Sequence, residues 1–263
     1  MLSLRPRIIV LQSCDEAYAE FLAATLDVNA AYAQQHGYEY RAHVGNLSPI
    51  PSTGNYNRYY LLREELERGA CDWALWLDVD AIVTDHDIPL ESIIDRTPDV
   101  MLVACRGMHC GDHDINNGVF LLNLRHGLAG ALLEAVIRHC ERLDPHNEAF
   151  CDDQFVMHEW LLGHEDPWGQ ISFVQCYKGD DYNLLNYDGP FIRHVLRRAG
   201  TDDERVEILR QIAAEIQWNP HSDAAADRQS GFAAALNRLT GALQALRNTP
   251  RRRGGQCDPA RSG

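Results

Sequence analysis

Blocks of apolar residues alternate with amphipathic segments along most of the chain, which predicts strands alternating with helices. The apolar blocks predict strands at residues 7–13, 38–43, 73–77, 99–105, 119–124 and 171–176. Apolar residues at helical spacing predict helices from about residue 16 and over 56–68, 128–143, 152–162 and 202–217. This order is typical of an α/β fold with a mostly parallel central sheet and helices on both faces. Such sheets bind ligands at the carboxyl ends of their strands.

The composition changes near residue 223 and divides the chain into a folded part and a tail. Residues 1–222 carry every predicted strand, and we expect them to form a single domain. Residues 223–263 are rich in Ala, Arg and Gly, with an amphipathic helix predicted at 232–246 and disorder at 248–263. Candidate chemistry is therefore sought in residues 1–222.

The charge and the apolar pattern limit the possible partners and location. The formal net charge of −14 disfavours nucleic acid and anionic membranes as partners. No apolar stretch approaches the ~20 residues of a membrane span. Because a strand begins near Ile8, no room is left for a signal peptide, and we expect a cytoplasmic protein. In that compartment the eight cysteines are expected to be free thiols.

The most informative polar residues follow the wholly apolar strand Trp73–Leu77. Asp78 and Asp80 stand one residue apart directly after it, before the chain turns apolar again at 81–83. Two carboxylates at the end of a buried strand are costly unless a cation neutralises them. Their hard oxygens suit Mg²⁺ or Mn²⁺. The alternative, on these residues alone, is an exposed turn in which Asp is common.

Six short motifs occur in order between residues 8 and 198. They are Asn29 with Tyr32-Ala33 and His36-Gly37-Tyr38, Tyr56-Asn57-Arg58 before Leu61-Leu62, residues 73–81 (WALWLDVDA), residues 116–122 (NNGVFLL), Asp152-Asp153-Gln154, and Phe191-Ile192-Arg193-His194. Together they resemble the motifs of glycosyltransferase family 34, the galactosyl, xylosyl and mannosyl transferases. The chain departs from that family after His194, where Val195-Leu196-Arg197-Arg198 replaces the usual Gly and Lys.

The resemblance implies a GT-A fold and a metal-dependent glycosyltransferase that retains the configuration of the transferred sugar. It implies a nucleotide-sugar donor, most simply a UDP-sugar, and a glycan or other hydroxyl acceptor. It also makes His194 the third metal ligand beside Asp78 and Asp80. An imidazole ligand favours Mn²⁺, with Mg²⁺ as the alternative. On the residues alone, His194 would be an ordinary surface or core histidine.

The Asp152-Asp153-Gln154 motif supplies the candidate catalytic residues. By resemblance, Asp153 faces the reacting carbon of the donor sugar, as a weak nucleophile or as a stabiliser of positive charge. Asp152 and Gln154 would then hold sugar hydroxyls. The alternative is structural, because acidic residues are favoured at a helix N-terminus whatever the function.

Three residues near the first strand and the second helix are candidates for donor binding. Ser13 and Asp15 lie at the end of the first strand, where the base and ribose are expected. For Asp15, capping of the following helix is slightly favoured over donor binding. Arg58 stands where the family has Lys and could bind a phosphate, or it could form a surface salt bridge with Glu64 or Glu65.

Four further residues complete the predicted donor site. Asn117 and Gly118 would allow the backbone to approach the sugar closely, or they could mark a bulge at a strand start. Arg197 and Arg198 could cover the diphosphate with positive charge. At least one of these two arginines could instead be a solvated helix charge.

Three rival functions remain at this point. The first is a family 8 transferase, which shares fold and metal but requires a His-x-x-Gly-x-x-Lys-Pro-Trp run that is missing after His194. The second is a nucleotide-sugar-binding protein with weak catalysis, against which the complete set of acidic residues argues. The third is a metal-dependent phosphohydrolase, which would normally carry more clustered carboxylates or histidines.

Overall fold

The computed structural model describes residues 5–50, 53–107, 115–144, 152–164, 174–177 and 185–217. Its strands are β1 Ile8–Cys14, β2 Glu39–Val44, β3 Trp73–Leu77, β4 Ala81–Val83, β5 Leu102–Arg106, β6 Ile115–Asn123, β7 Val174–Tyr177 and β8 Ile192–His194. Its helices are α1 Ala19–His36, α2 Asn57–Arg68, α3 Glu91–Ile94, α4 Ala129–Cys140, α5 Asp153–Leu162 and α6 Asp202–Gln217. The other strands and helices occur in the predicted order, whereas β4, α3 and β8 were not anticipated.

Six of the described strands form the central sheet in the order β2-β1-β3-β6-β5-β7. The pairs β1–β2, β1–β3 and β5–β7 are parallel, whereas β6 runs antiparallel to both β3 and β5. The sheet is therefore mixed, with β6 alone reversed among these six strands. This architecture confirms the predicted α/β fold with a mostly parallel central sheet.

A second, two-stranded sheet lies at the carboxyl end of β3. There β4 pairs antiparallel with β8, so that Ala81 faces His194 in the register. The chain turns between β3 and β4 through a hydrogen bond from the Ala81 N–H to the Asp78 carbonyl, at 2.9 Å. This pairing brings residue 194 next to residues 78–80, although more than a hundred residues separate them in sequence.

Glycine ends two of the helices that flank the sheet. Gly37 follows α1 with φ of 74°, and Gly69 follows α2 with φ of 62°. Both angles are left-handed, a conformation that glycine adopts without steric cost. Each helix therefore ends at its glycine, and the chain continues into the next strand.

The core consists of two apolar clusters of buried residues. One includes Trp76 and Phe120 with apolar residues of α2, α4 and α5. The other includes Leu75 and Leu121 with Tyr32 of α1 and residues from the segment around α3. Because neighbouring residues of β3 and β6 enter different clusters, the middle of the sheet is covered on both faces.

The described residues all belong to one compact unit, Met1–Ala225. The predicted tail, residues 223–263, lies outside the described residues, as do 171–173 of the predicted strand 171–176. Among the described residues, Cys14, Cys71, Cys105 and Cys140 are buried and take part in no disulfide bond. No described helix has both the length and the apolar character that a membrane span requires.

Candidate functional site

Three potential metal ligands meet where the two sheets join. Asp78 and Asp80 follow β3, and His194 ends β8. One ligand atom from each of these residues lies within 4.8 Å of the others. Two carboxylates and an imidazole are a donor set that suits a divalent ion such as Mn²⁺. The structure thus brings together the three residues predicted to bind metal.

Asp80 is held by partners on both of its oxygens. Its Oδ1 lies 2.9 Å from His194 Nε2, and its Oδ2 accepts a hydrogen bond from the Arg205 guanidinium. Arg205, with a side chain only 3% exposed, also donates to the Val195 carbonyl at 2.9 Å. Since Val195 follows His194, Arg205 of α6 links the two chain segments that carry these ligands.

The Asp78 carboxylate is oriented by two contacts to its Oδ1 atom. This oxygen accepts from Trp76 Nε1 at 2.8 Å and lies 3.1 Å from Arg58 Nη2. The other oxygen, Oδ2, faces Gly118 of β6 and His194, because a Cβ added at Gly118 would lie 2.9 Å from Oδ2 and would overlap the imidazole. Asp78 therefore turns Oδ2 toward the centre of the triad.

Arg58 of α2 is buried between two carboxylates. Besides Asp78, its guanidinium contacts Asp153 Oδ2 at 3.3 Å and donates to the backbone carbonyls of Asn55, at 3.0 Å, and Asn117. The sequence left open a phosphate ligand or a surface salt bridge with the glutamates of α2. The structure places Arg58 away from those glutamates, and most of its donors are already engaged inside the site.

Asp153, the first residue of α5, is only 5% exposed and is surrounded by donors. Its Oδ1 accepts from Asn55 Nδ2 at 2.6 Å, and its Oδ2 accepts from Asn117 Nδ2 at 2.7 Å. These contacts fix the direction of the carboxylate. Because Arg58 contacts both Asp153 and Asp78, the predicted catalytic carboxylate is one side chain away from the triad.

The other two residues of the acidic motif have different positions. Asp152 is exposed and caps α5, because its Oδ1 accepts from the backbone N–H groups of Gln154 and Phe155 at 3.0 and 3.3 Å. The Gln154 side chain contacts β6, where its Oε1 accepts from the Asn117 N–H at 3.2 Å. The helix-capping alternative describes Asp152, whereas Gln154 contacts the strand that lines the site.

A bulge in β6 carries Asn117 and Gly118 into the site. Ala104 and Cys105 are consecutive on β5, yet they pair with Phe120 and Asn116, so residues 117–119 are extra on β6. On the opposite edge the Asp78 N–H still donates to the Gly118 carbonyl, at 2.8 Å. The bulge alternative for this segment is therefore confirmed, whereas an approach of the backbone to a sugar stays a prediction.

Replacing Gly118 with alanine is expected to destabilise the protein by about 1–3 kcal/mol and to weaken metal binding. The added Cβ would overlap the His194 imidazole, which two hydrogen bonds hold in place. Thermal unfolding with and without Mn²⁺ measures both effects. The matched control is Gly127→Ala, because a Cβ there meets nothing within 4 Å. Equal behaviour of the two variants would contradict the close approach at Gly118.

If all its carboxyl groups are counted as ionised, the site has one more carboxylate than guanidinium groups. Its carboxylates are Asp78, Asp80 and Asp153, and its guanidinium groups are Arg58 and Arg205. Burial disfavours the imidazolium, but Asp80 outweighs it and raises the pKa of His194. Burial would likewise raise the pKa of Asp80, yet His194 and Arg205 lower it, whereas burial prevails at Asp78 and raises its pKa. Three negative charges against two positive ones leave one excess negative charge when the imidazole is neutral.

The metal-free protein is expected to lose stability as the pH rises above about 6.5. The folded pKa of His194 lies above its unfolded value, so its contribution is complete below the unfolded pKa and disappears through the folded pKa. Ligation needs an unprotonated Nε2, so the stabilisation by Mn²⁺ should grow over the same pH range. Thermal unfolding between about pH 6 and 9, with and without Mn²⁺, tests this. A pH dependence unchanged in His194→Gln would contradict it.

The paired ends of β1 and β2 contain two buried polar atoms that have no hydrogen-bond partner among the described residues. Ser13 and His43 are register partners on β1 and β2, and neither Ser13 Oγ nor His43 Nε2 has a partner among the described residues. Buried polar atoms without partners are rare, which indicates a place for a polar ligand or water. Asp15 caps the following 3₁₀ turn through the N–H groups of Ala17 and Tyr18, as its capping alternative predicted.

Arg197 and Arg198 lie on an exposed 3₁₀ turn that begins three residues after His194. The Arg198 guanidinium carbon lies 5.8 Å from the centre of the Tyr187 ring. Tyr187 is adjacent to His194 in space, because its carbonyl accepts from the His194 N–H at 2.7 Å. Arg198 is therefore at the rim of the site with an exposed side chain.

Sequence reasoning missed three residues that hold the predicted ones. Arg205 binds Asp80 from α6, Asn186 contacts His194 Nδ1 at 2.9 Å, and Asn55 binds Asp153. None stands in a motif, and residues 202–217 looked like an exposed helix with alternating Glu and Arg. The only available signal for Arg205 was the need of the acidic pair for permanent positive charge.

Comparison with solved structures identifies the fold. A glycosyltransferase involved in the glycosylation of the major capsid of PBCV-1 superimposes with a TM-score of 0.59 and 21% identity, over 78% of this chain and 99% of that chain. The glycosyltransferase GlyE of Streptococcus pneumoniae matches with a TM-score of 0.51 and 14% identity, over 92% of this chain and 64% of that chain. No family model and no curated protein matches. The chain thus has the GT-A fold of glycosyltransferases, while membership of family 34 stays a prediction.

Proposed function

We propose that the protein is a metal-dependent glycosyltransferase that uses a nucleotide-sugar donor, with a UDP-sugar and Mn²⁺ as the specific case. One observation carries the proposal. Arg58 joins the metal triad, through Asp78, to the buried carboxylate of Asp153. A cation site next to a fixed, buried carboxylate is what breaking a sugar–diphosphate bond needs, because negative charge grows on one side of the bond and positive charge on the other.

Asp78, Asp80 and His194 would hold the ion, which supplies Lewis-acid stabilisation of the departing diphosphate. Arg198 and Arg197 are exposed at the rim and would neutralise further phosphate charge. Arg58 has a different role in this proposal. Because its donors are engaged, it orients Asp78 and Asp153 and does not bind a phosphate directly.

Asp153 would stabilise positive charge on the reacting sugar carbon while the bond to the diphosphate breaks. The electron pair of that bond stays on the diphosphate, and the acceptor oxygen forms the new bond to the carbon. The acceptor proton passes to an oxygen of the departing diphosphate. Gln154 and Asn117, which hydrogen-bond to each other, would bind sugar hydroxyls beside Asp153. We propose retention of configuration, as the family resemblance implies.

The nucleoside would occupy the end of β1. Ser13 Oγ and His43 Nε2 are unpartnered there among the described residues, and a base or ribose could satisfy both atoms. The acceptor would be a glycan or another hydroxyl compound. The fold is compatible with family 34 and with other transferases, such as family 8, although the run that family 8 requires after the histidine is missing here.

A thermal-shift panel of UDP- and GDP-sugars, each with and without Mn²⁺, tests the proposal. The expected result is stabilisation by one donor that depends on the metal, since the ion would supply positive charge for the diphosphate. The same donor and ion should then support sugar transfer to a hydroxyl acceptor. Stabilisation by no donor, or by donors equally without metal, would overturn the proposal.

A further inference from the structure

The side-chain amide of Asn186 is completely buried beside His194 and is bonded at both ends. Its Oδ1 accepts from the Tyr187 N–H at 2.7 Å and lies 2.9 Å from His194 Nδ1. Its Nδ2 donates to Asn116 Oδ1 at 3.0 Å, and that oxygen also accepts from the Gly118 N–H at 2.9 Å. The amide therefore connects the third metal ligand to the β6 bulge.

These contacts determine which way the amide faces. A backbone N–H can only donate, so the Asn186 atom that faces the Tyr187 N–H is the oxygen. At the other end, Asn116 presents its oxygen to the Gly118 N–H, so the Asn186 atom facing that oxygen is the NH₂ group. Both ends give the same orientation. His194 Nδ1 consequently faces an acceptor and must carry a proton.

We propose that Asn186 is a positioning residue of the metal site, which acts through His194. By holding the Nδ1 proton, it leaves the lone pair of the neutral imidazole on Nε2, the nitrogen that faces Asp80 at 2.9 Å. A metal-binding histidine needs such a partner on its second nitrogen to fix its tautomer and ring plane. The inference rests on the proposed use of a metal.

A purely structural role for Asn186 makes a different prediction. In that case the amide would only support the backbone before β8, through Tyr187 and Asn116. Any variant that loses these contacts would then lose stability, with no specific change at His194. The two roles separate in variants that keep or remove the acceptor for Nδ1.

Two substitutions make this distinction. Asn186→Leu has a similar size but no acceptor, whereas Asn186→Asp keeps the acceptor and loses the donor to Asn116. We expect Asn186→Leu to bind Mn²⁺ about 10- to 100-fold more weakly. Asn186→Asp should bind Mn²⁺ at least as tightly as the unchanged protein, although it also loses stability. Mn²⁺ binding is measured by electron paramagnetic resonance of the free ion.

NMR spectroscopy provides a second measurement, which detects the Nδ1 proton of His194 directly and does not depend on enzymatic activity. With Cd²⁺ as a diamagnetic probe, ¹⁵N-edited NMR should show a His194 Nδ1–H that is protected from exchange in the unchanged protein and in Asn186→Asp. This signal should be absent in Asn186→Leu. A His194→Gln spectrum assigns it among the twelve histidines of the chain.

Asn123→Leu is the matched control, because Asn123 is a buried asparagine at the other end of β6, bonded to the Val100 carbonyl and the Arg125 N–H. It should lose stability but keep Mn²⁺ affinity. Equal affinity in Asn186→Leu and the unchanged protein would overturn the inference, as would equal losses in both Asn186 variants. If the unchanged protein binds no Mn²⁺, both the proposed function and the role of Asn186 fail. If it binds Mn²⁺ and Asn186→Leu binds it equally well, only the role of Asn186 fails.

Discussion

Replacing Asp80 with asparagine is expected to abolish the stabilisation of the protein by Mn²⁺ and to lower sugar transfer at least about 10³-fold. An ion at 100 times its dissociation constant stabilises by about 2.7 kcal/mol, a shift in Tm on the order of 5–10 °C for a domain of this size. That shift should vanish, because the amide no longer supplies the negative charge between His194 and Arg205. Thermal unfolding with and without the ion measures it.

The same variant should also be less stable without metal, by about 3 kcal/mol at most, because Arg205 stays buried and loses a carboxylate partner. Asp202→Asn is the matched control. Asp202 also pairs with Arg205, at 2.9 Å, but its side chain is 66% exposed and belongs to α6. It should leave the Mn²⁺ shift intact. An unchanged shift in Asp80→Asn would remove Asp80 from the metal site.

Replacing Asp153 with asparagine should reduce turnover by about 10³-fold and leave donor affinity within a few-fold. The carboxylate is proposed to stabilise positive charge that exists only in the transition state, so its loss affects kcat more than binding. The amide would also place an NH₂ group against Asn55 or Asn117, both of which donate to the present oxygens. Single-turnover transfer and donor-dependent thermal shifts measure the two quantities separately.

Asp152→Asn is the control for this prediction. Asparagine caps helices as well as aspartate does, so α5 should keep its N-terminus and the protein its stability. If Asp152 only caps the helix, turnover should stay within a few-fold of the unchanged protein. A large loss in Asp152→Asn would restore the sugar-binding role that the sequence assigned to it. Full turnover in Asp153→Asn would contradict the proposed mechanism.

The fold was predictable because its main elements are long and strongly patterned. The apolar strand Trp73–Leu77 and the glycines that end α1 and α2 are local signals, and the structure has them in place. The reversed direction of β6 was not predictable, because strand direction depends on pairing and not on periodicity. Strand β8 was missed for a related reason: three residues are too few for a pattern, and they form a strand only against β4.

The site was predictable only as far as motifs reach. Asp78, Asp80 and His194 were placed together by resemblance, and the structure brings them within ligand distance of one another. The residues that hold these ligands have no fixed spacing from them in the sequence. Arg205 lies more than a hundred residues from Asp80, and Asn186 lies about eight residues from His194. Hydrogen bonds of this kind are set by tertiary packing, which a sequence pattern does not record.

The contact between Arg205 and Asp80 has a consequence for the order of events during synthesis. Asp80 leaves the ribosome long before β8 and α6, so its carboxylate can meet the His194 imidazole and then the Arg205 guanidinium only after each of these residues has emerged. A nascent chain arrested before either of them has emerged would expose its acidic loop to solvent. The three candidate ligands are thus together only after β8 has paired with β4, late in synthesis.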